Sequence, residues 1–135
     1  MQTDERKRRS QYFEARAMHH TAKSIGHKLS LAMTEEDDAR LWRQYRAALD
    51  RWQRFSARAG CECECNPAVK ERVYYKPVFD ETYLKLTAEL TELYARMQKE
   101  ESRAGRRQIR ELIDLKKRER WDSAHFVLRE TGEAV

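Results

Sequence analysis

The chain has 135 residues, enough for one domain with a core of its own; 38% of them are charged and 40% hydrophobic. The regular spacing of the apolar residues speaks against a disordered tail, and 4 Gly with 2 Pro are too few for a loop-rich β fold. The net charge of +5 is a small difference between 28 basic and 23 acidic side chains, so it favours an acidic partner without demanding one.

The first stretch carries Ala15, Met18, Ala22, Ile25 and Leu29 at spacings of three and four, with Tyr12 and Phe13 widening the stripe. This is helical period, and it predicts a helix from about residue 4 to about residue 30. Gly26 lies inside it and weakens it by up to about 1 kcal/mol relative to Ala. Thr34 then offers a cap hydroxyl, Asp37 stands where a capping-box acid belongs, and Glu35, Glu36 and Asp38 put negative charge at the positive end of a helix dipole. Leu41, Tyr45, Ala48, Trp52, Phe55 and Ala59 follow as a second seam, and Gly60 is a natural stop.

Residues 60–78 break the pattern, with a cysteine block, Asn66-Pro67, the strand-favouring Val73-Tyr74-Tyr75 and Pro77. The segment has room for a small hairpin bent at Asn66-Pro67, which would need packing or a metal to persist. A third helix begins at Asp80, with Phe79, Tyr83, Leu86, Leu90, Leu93 and Met97 as its seam. After a polar stretch, Ile109, Leu112, Ile113, Leu115, Trp121, Ala124, Phe126 and Leu128 resume an apolar face, which predicts a turn near Ala104 to Arg106. The competing arrangement is one rod running through Gly105.

Four segments of about 25 residues, each about 37 Å long, suit an antiparallel bundle. The expected fold is therefore all-α: a single domain over residues 1–135, an antiparallel four-helix bundle or long helical hairpins, with one irregular cysteine-containing loop between helices two and three. The two heptad seams also suit a homodimer. No apolar run approaches the roughly 18 residues of a membrane span. The opening Met1–Arg9 lacks the apolar segment of a secretion signal, so the expectation is a soluble, cytoplasmic protein without a membrane partner.

Cys61, Cys63 and Cys65 are the only cysteines, packed into five residues with Glu62 and Glu64 between them. An odd number so closely spaced is a poor disulfide framework, and a reducing cytoplasm leaves the thiols to a metal. In an extended strand, residues two apart rise about 6.6 to 6.8 Å, whereas sulfurs around one zinc lie under about 4 Å apart, so the backbone would have to curl. A fourth ligand must come from elsewhere. In the bundle, His125 lies near the cysteine end, about six residues or roughly 9 Å from the helix terminus. It completes a candidate Cys3His zinc site of closed, structural type. Soft thiolates suit Cu(I) or an iron–sulfur centre as well; free thiols on a surface loop and redox chemistry are the alternatives.

His19-His20 lacks the Glu-x-x-His pairs of a di-metal bundle and reads as a solvated or core-edge pair. No phosphate loop, His-Glu-x-x-His or nucleophile elbow occurs, so catalysis is not expected. Basic runs occur at Arg6-Lys7-Arg8-Arg9, at Arg103, Arg106, Arg107 and Arg110, and at Lys116-Lys117-Arg118 with Arg120. They suit phosphate contact, but no helix-turn-helix pattern or stacking platform is legible, and solvated helix faces are the favoured explanation.

The leading expectation is a non-enzymatic helical adaptor or assembly accessory protein. Its zinc-pinned loop would present Val73, Tyr74 and Tyr75 to a protein partner. The second is a nucleic-acid-binding accessory or regulatory protein using Arg6, Lys7, Arg8, Arg9, Arg103, Arg106, Arg107 and Arg110. A third is a thiol redox or Cu(I)-handling protein.

Overall fold

A computed structural model describes residues 2–59 and 74–135 of the chain. Among them are four helices, α1 (Gln2–Ser30), α2 (Glu35–Ala59), α3 (Glu81–Lys99) and α4 (Arg103–Ser123), and two strands, β1 (Tyr75–Pro77) and β2 (Phe126–Leu128). The chain is thus mostly helical with a small antiparallel sheet. It divides into two compact units, one containing α1 and α2, the other containing Met33–Glu35, the strands, α3 and α4.

In the first unit the apolar stripes of α1 and α2 face one another in antiparallel order. Ala22 of α1 packs with Ala48, Leu49 and Trp52 of α2, and Met18, Ile25 and Tyr45 close the cluster. The small residues allow close approach: a Cβ on Gly26 would lie 2.9 Å from Cε2 of Tyr45. The glycine that weakens α1 by propensity thus makes room for a ring from α2. Helix α1 tightens at its end, where Leu31 and Ala32 donate to the carbonyls of Lys28 and Leu29. Helix α2 opens one residue after Thr34, as the cap signal predicts.

In the second unit Asp80 caps α3, its carboxylate accepting from the Tyr83 N–H at 2.8 Å. The seam of α3 is buried at Tyr83, Leu86, Leu90 and Leu93 and meets Ile109 and Ile113 of α4. The turn lies at Glu100–Ser102, a little earlier than the predicted Ala104 to Arg106, and it excludes the continuous rod. Ser102 supplies the reason, because its hydroxyl accepts from the Gly105 N–H at 2.9 Å and starts α4 there. Glu100 completes the turn: its carboxylate accepts from the Ser102 N–H at 3.1 Å, and its carbonyl accepts from Arg106 Nε at 2.7 Å. Gly105 is therefore a first-turn helical residue, where a Cβ would meet Glu100 Cδ at 2.6 Å.

The end of the chain departs from the helical expectation. The apolar run through Leu128 does not continue α4, which ends at Ser123 with Ala124 already extended at ψ 145°. The Ser123 hydroxyl turns back onto the carbonyls of Glu119 and Arg120 at 2.9 and 3.3 Å. Phe126-Val127-Leu128 then takes the conformation its side chains favour. It pairs with β1 in the register Tyr75↔Leu128, Lys76↔Val127 and Pro77↔Phe126. Beyond it the chain turns at Gly132, whose φ of +72° suits glycine, and returns so that Leu128 donates to the Glu133 carbonyl and Val135 to that of Phe126. Strand β2 is thereby paired on both sides. The hairpin expected at Asn66-Pro67 lies outside the described residues. The strand signal at Tyr75 is real, but its partner is at the far end of the chain.

Candidate functional site

Cys61, Cys63, Cys65 and Val73 lie outside the described residues. His125 is exposed, and it stands in the link between α4 and β2 rather than inside a helix. The strand pairing fixes its backbone: the His125 carbonyl accepts from the Val78 N–H at 2.8 Å. At the other end of β1 the Tyr74 carbonyl accepts from the Arg129 N–H at 3.1 Å. The ribbon thus ties His125 to the strand that follows the cysteine segment. Tyr75 is 48% exposed, a surface ring on a hydrogen-bonded frame.

Among the described residues no group of three or more His, Cys, Asp or Glu side chains is placed to hold a metal. His19 lies flat on Trp52, ring centroids 4.6 Å apart, with His20 stacked behind it at 5.8 Å. This is the core-edge pair that the sequence favours. The buried indole Nε1 of Trp52 has no hydrogen-bond partner among the described residues.

Of the basic residues, Arg6, Lys7, Arg8 and Arg9 are exposed on α1, but four consecutive positions spread over about 300° of a helix and share no face. Helix α4 arranges its cations differently. At 3.6 residues per turn, Arg103, Arg107, Arg110, Lys117 and Arg118 fall within about 60° of one line along the helix, all exposed. Arg106 borders them but is engaged with Glu100. The run Lys116-Lys117-Arg118 with Arg120 is split by its helical positions. Lys116 pairs with Glu89 at 2.8 Å and with Glu119 at 3.5 Å. Arg120 donates to the buried Thr87 hydroxyl at 3.1 Å and lies 5.0 Å from the Tyr83 ring centroid. These two staple α3 to α4, whereas Lys117 and Arg118 face outward with the arginines.

The opposite flank of this hairpin mixes both signs, with Glu81, Glu89, Glu92 and Glu119 beside Lys85, Arg96 and Lys116. Clefts of about 330 and 230 Å³ there share Glu89 and Lys116; Glu81 and Glu119 line the first, Glu92 and Leu112 the second. The hydrogen bond from Lys116 holds the Glu89 carboxyl below the ordinary carboxylate range, partly opposed by desolvation, and Glu89 in turn raises the Lys116 ammonium. The Ser102 backbone N–H, then its hydroxyl, lowers Glu100 in the same way. Lys76 on β1 contacts the Glu35 carboxylate. Burial, then the Arg129 guanidinium, nevertheless lowers its pKa.

One residue was not read as functional from the sequence. Trp121, counted above with the apolar face of α4, is 70% exposed and lies on the same line as the exposed cations. Its ring meets Phe126 at 5.1 Å, which leaves much of it open. Plotting residues 103–123 at 100° per residue would have revealed both the stripe and its aromatic end. No protein-family model, curated protein or solved structure matches the chain.

Proposed function

We propose that the chain is a non-enzymatic helical adaptor or assembly accessory protein, an antiparallel four-helix bundle acting in the cytoplasm. Cys61, Cys63, Cys65 and His125 bind one structural zinc, and that site holds the Tyr74–Tyr75 surface for a protein partner, with pairing of two copies through the helical seams. The observation that carries the reading is the ribbon, in which the backbone beside His125 bonds the strand that follows the cysteine segment. Ligands on both sides of such a frame would close it into a rigid loop.

The test is metal content per chain on protein purified without an affinity-metal step, with thermal melts before and after chelation. One zinc per chain, a lower melting temperature after chelation and weaker partner binding in Cys63→Ser are the expected results. Three freely titrating thiols and an unchanged melt would end the zinc reading.

A second reading, a nucleic-acid-binding accessory protein, is favoured by one observation: the aligned, exposed cations on α4. Phosphate contacts of this kind give affinity that falls with salt. Retention on a DNA column that declines steeply with ionic strength is expected, and absence of retention at low salt removes the reading.

A further inference from the structure

We infer that the outer flank of α4 is a binding surface for single-stranded nucleic acid, with Trp121 as a base-stacking platform at the end of a phosphate-contacting stripe. The inference rests on the nucleic-acid reading and names its surface and ligand.

Three features carry it. The first is alignment: Arg103, Arg107, Arg110, Lys117 and Arg118 run with Trp121 along one side of a helix for about 27 Å at 1.5 Å per residue. Asp114 is the acidic residue within the stripe. The second is the sign of the surroundings. Lys117 lies 5.7 Å over the Tyr94 ring, so the neighbouring side of α3 is uncharged there. The other flank is mixed in charge, Glu81, Glu89, Glu92 and Glu119 standing among Lys85, Arg96 and Lys116 around the clefts. The stripe thus sets five cations against Asp114, with Glu111 and Asp122 at its border, and offers a polyanion a mainly positive line.

The third is Trp121. A 70% exposed indole is unusual for a folded chain, and the ring is held in place by Phe126, itself fixed in the central strand of the ribbon. A large aromatic face beside cations is what unpaired bases require, since every base has a π face and the backbone follows the charge. A duplex keeps its bases stacked inside and would use the cations alone. Stacking is tolerant of sequence, so no base preference is expected.

The experiment compares the binding of labelled oligothymidylate, oligouridylate and a DNA duplex of equal length to the full chain, by fluorescence anisotropy across a salt series. The expected result is tighter binding of both single strands than of the duplex. Five phosphate contacts predict about a 100-fold loss of single-strand affinity between about 50 and 200 mM salt. Trp121→Ala is expected to weaken single-strand binding by about 5- to 100-fold and leave duplex binding unchanged. Trp121→Phe, which keeps a ring against Phe126, restores most of it. The Arg107→Glu/Arg110→Glu chain weakens binding of all three probes and flattens the salt slope. Equal binding of strand and duplex with no effect of Trp121→Ala would overturn the inference while the nucleic-acid reading stood. Binding of no probe at low salt would overturn both, and loss of binding only on charge reversal at Arg6 to Arg9 would move the surface off α4.

Discussion

The α1–α2 and α3–α4 hairpins solve the same packing problem with different side chains. Between α1 and α2 the contact is made by Ala22, Ala48 and Leu49, with the large Trp52 ring covered by His19 and the Tyr45 ring set against Gly26. Between α3 and α4 the contact is a seam of Leu86, Leu90, Leu93, Ile109 and Ile113. Polar staples surround it: the Thr87–Arg120 hydrogen bond, the Lys116–Glu89 pair and capped ends at Asp80 and Ser102. The first hairpin concentrates its packing on one aromatic residue, Trp52, whose indole donor finds no partner among the described residues. The second distributes it over aliphatic layers and specifies its register with polar pairs, which also separate a mixed-charge flank from the basic stripe of α4. The periodicity of α4 keeps its cations on one line, and the polar pairs to α3 decide that this line is left to solvent.

The largest test of that contrast is truncation at each centre. Trp52→Ala is expected to cost about 3–5 kcal/mol and Leu90→Ala about 2–5 kcal/mol in chemical denaturation. Amide exchange should show the greatest loss of protection in α1 and α2 for the former and in α3 and α4 for the latter. Equal losses everywhere in both variants would erase the distinction between the two hairpins. Next in size is the cap: Asp80→Ala removes the acceptor for the Tyr83 N–H and is expected to cost about 1 kcal/mol, with Asp80→Asn recovering most of it.

The glycines sharpen the comparison further. Alanine gains up to about 1 kcal/mol of helix propensity at either position. At Gly26 its Cβ must displace a packed ring, so Gly26→Ala is expected to be net destabilising. At Gly105 it meets both the Glu100 carboxylate at 2.6 Å and the Ser102 cap hydroxyl at 2.7 Å, disturbing two hydrogen bonds of about 1 kcal/mol each, so Gly105→Ala is expected to be net destabilising by about 1 kcal/mol.

The smallest effect is in the pH dependence. Glu89 and Glu100 titrate lower when folded, so their stabilisation is complete above the unfolded glutamate value of about 4.3 and is lost as pH falls through the lowered folded values. Lys116 is raised, so its contribution is complete below about 10.4 and is lost as pH rises through the folded value. Melting curves of the parent and of Glu89→Gln should converge in acid and also at alkaline pH. Parallel curves across both limbs would show that the Lys116 pair contributes nothing.

Much of the architecture was legible because it is written in local pattern. Spacings of three and four placed all four helices, Thr34 and Asp80 marked two of the starts, and the strand preference around Tyr75 was visible before its partner was. The exposed cations of the second reading, Arg103, Arg107 and Arg110, could likewise be found from sequence. The segment carrying the cysteines is defined chemically by its residue types alone. What sequence could not give was anything set by distant contacts. Phe126-Val127-Leu128 is apolar enough for either helix or strand, and only pairing with Tyr75–Pro77 decides between them. The sequence treats Lys116, Lys117, Arg118 and Arg120 as one basic run. Packing against α3 assigns Lys116 and Arg120 to Glu89 and Thr87 and leaves Lys117 and Arg118 outward. Trp121 passes for a core residue by type, and its exposure follows from the direction in which α4 meets α3. Periodicity fixes where a helix lies and which residues share its faces; the neighbour it packs against decides which face is left to solvent.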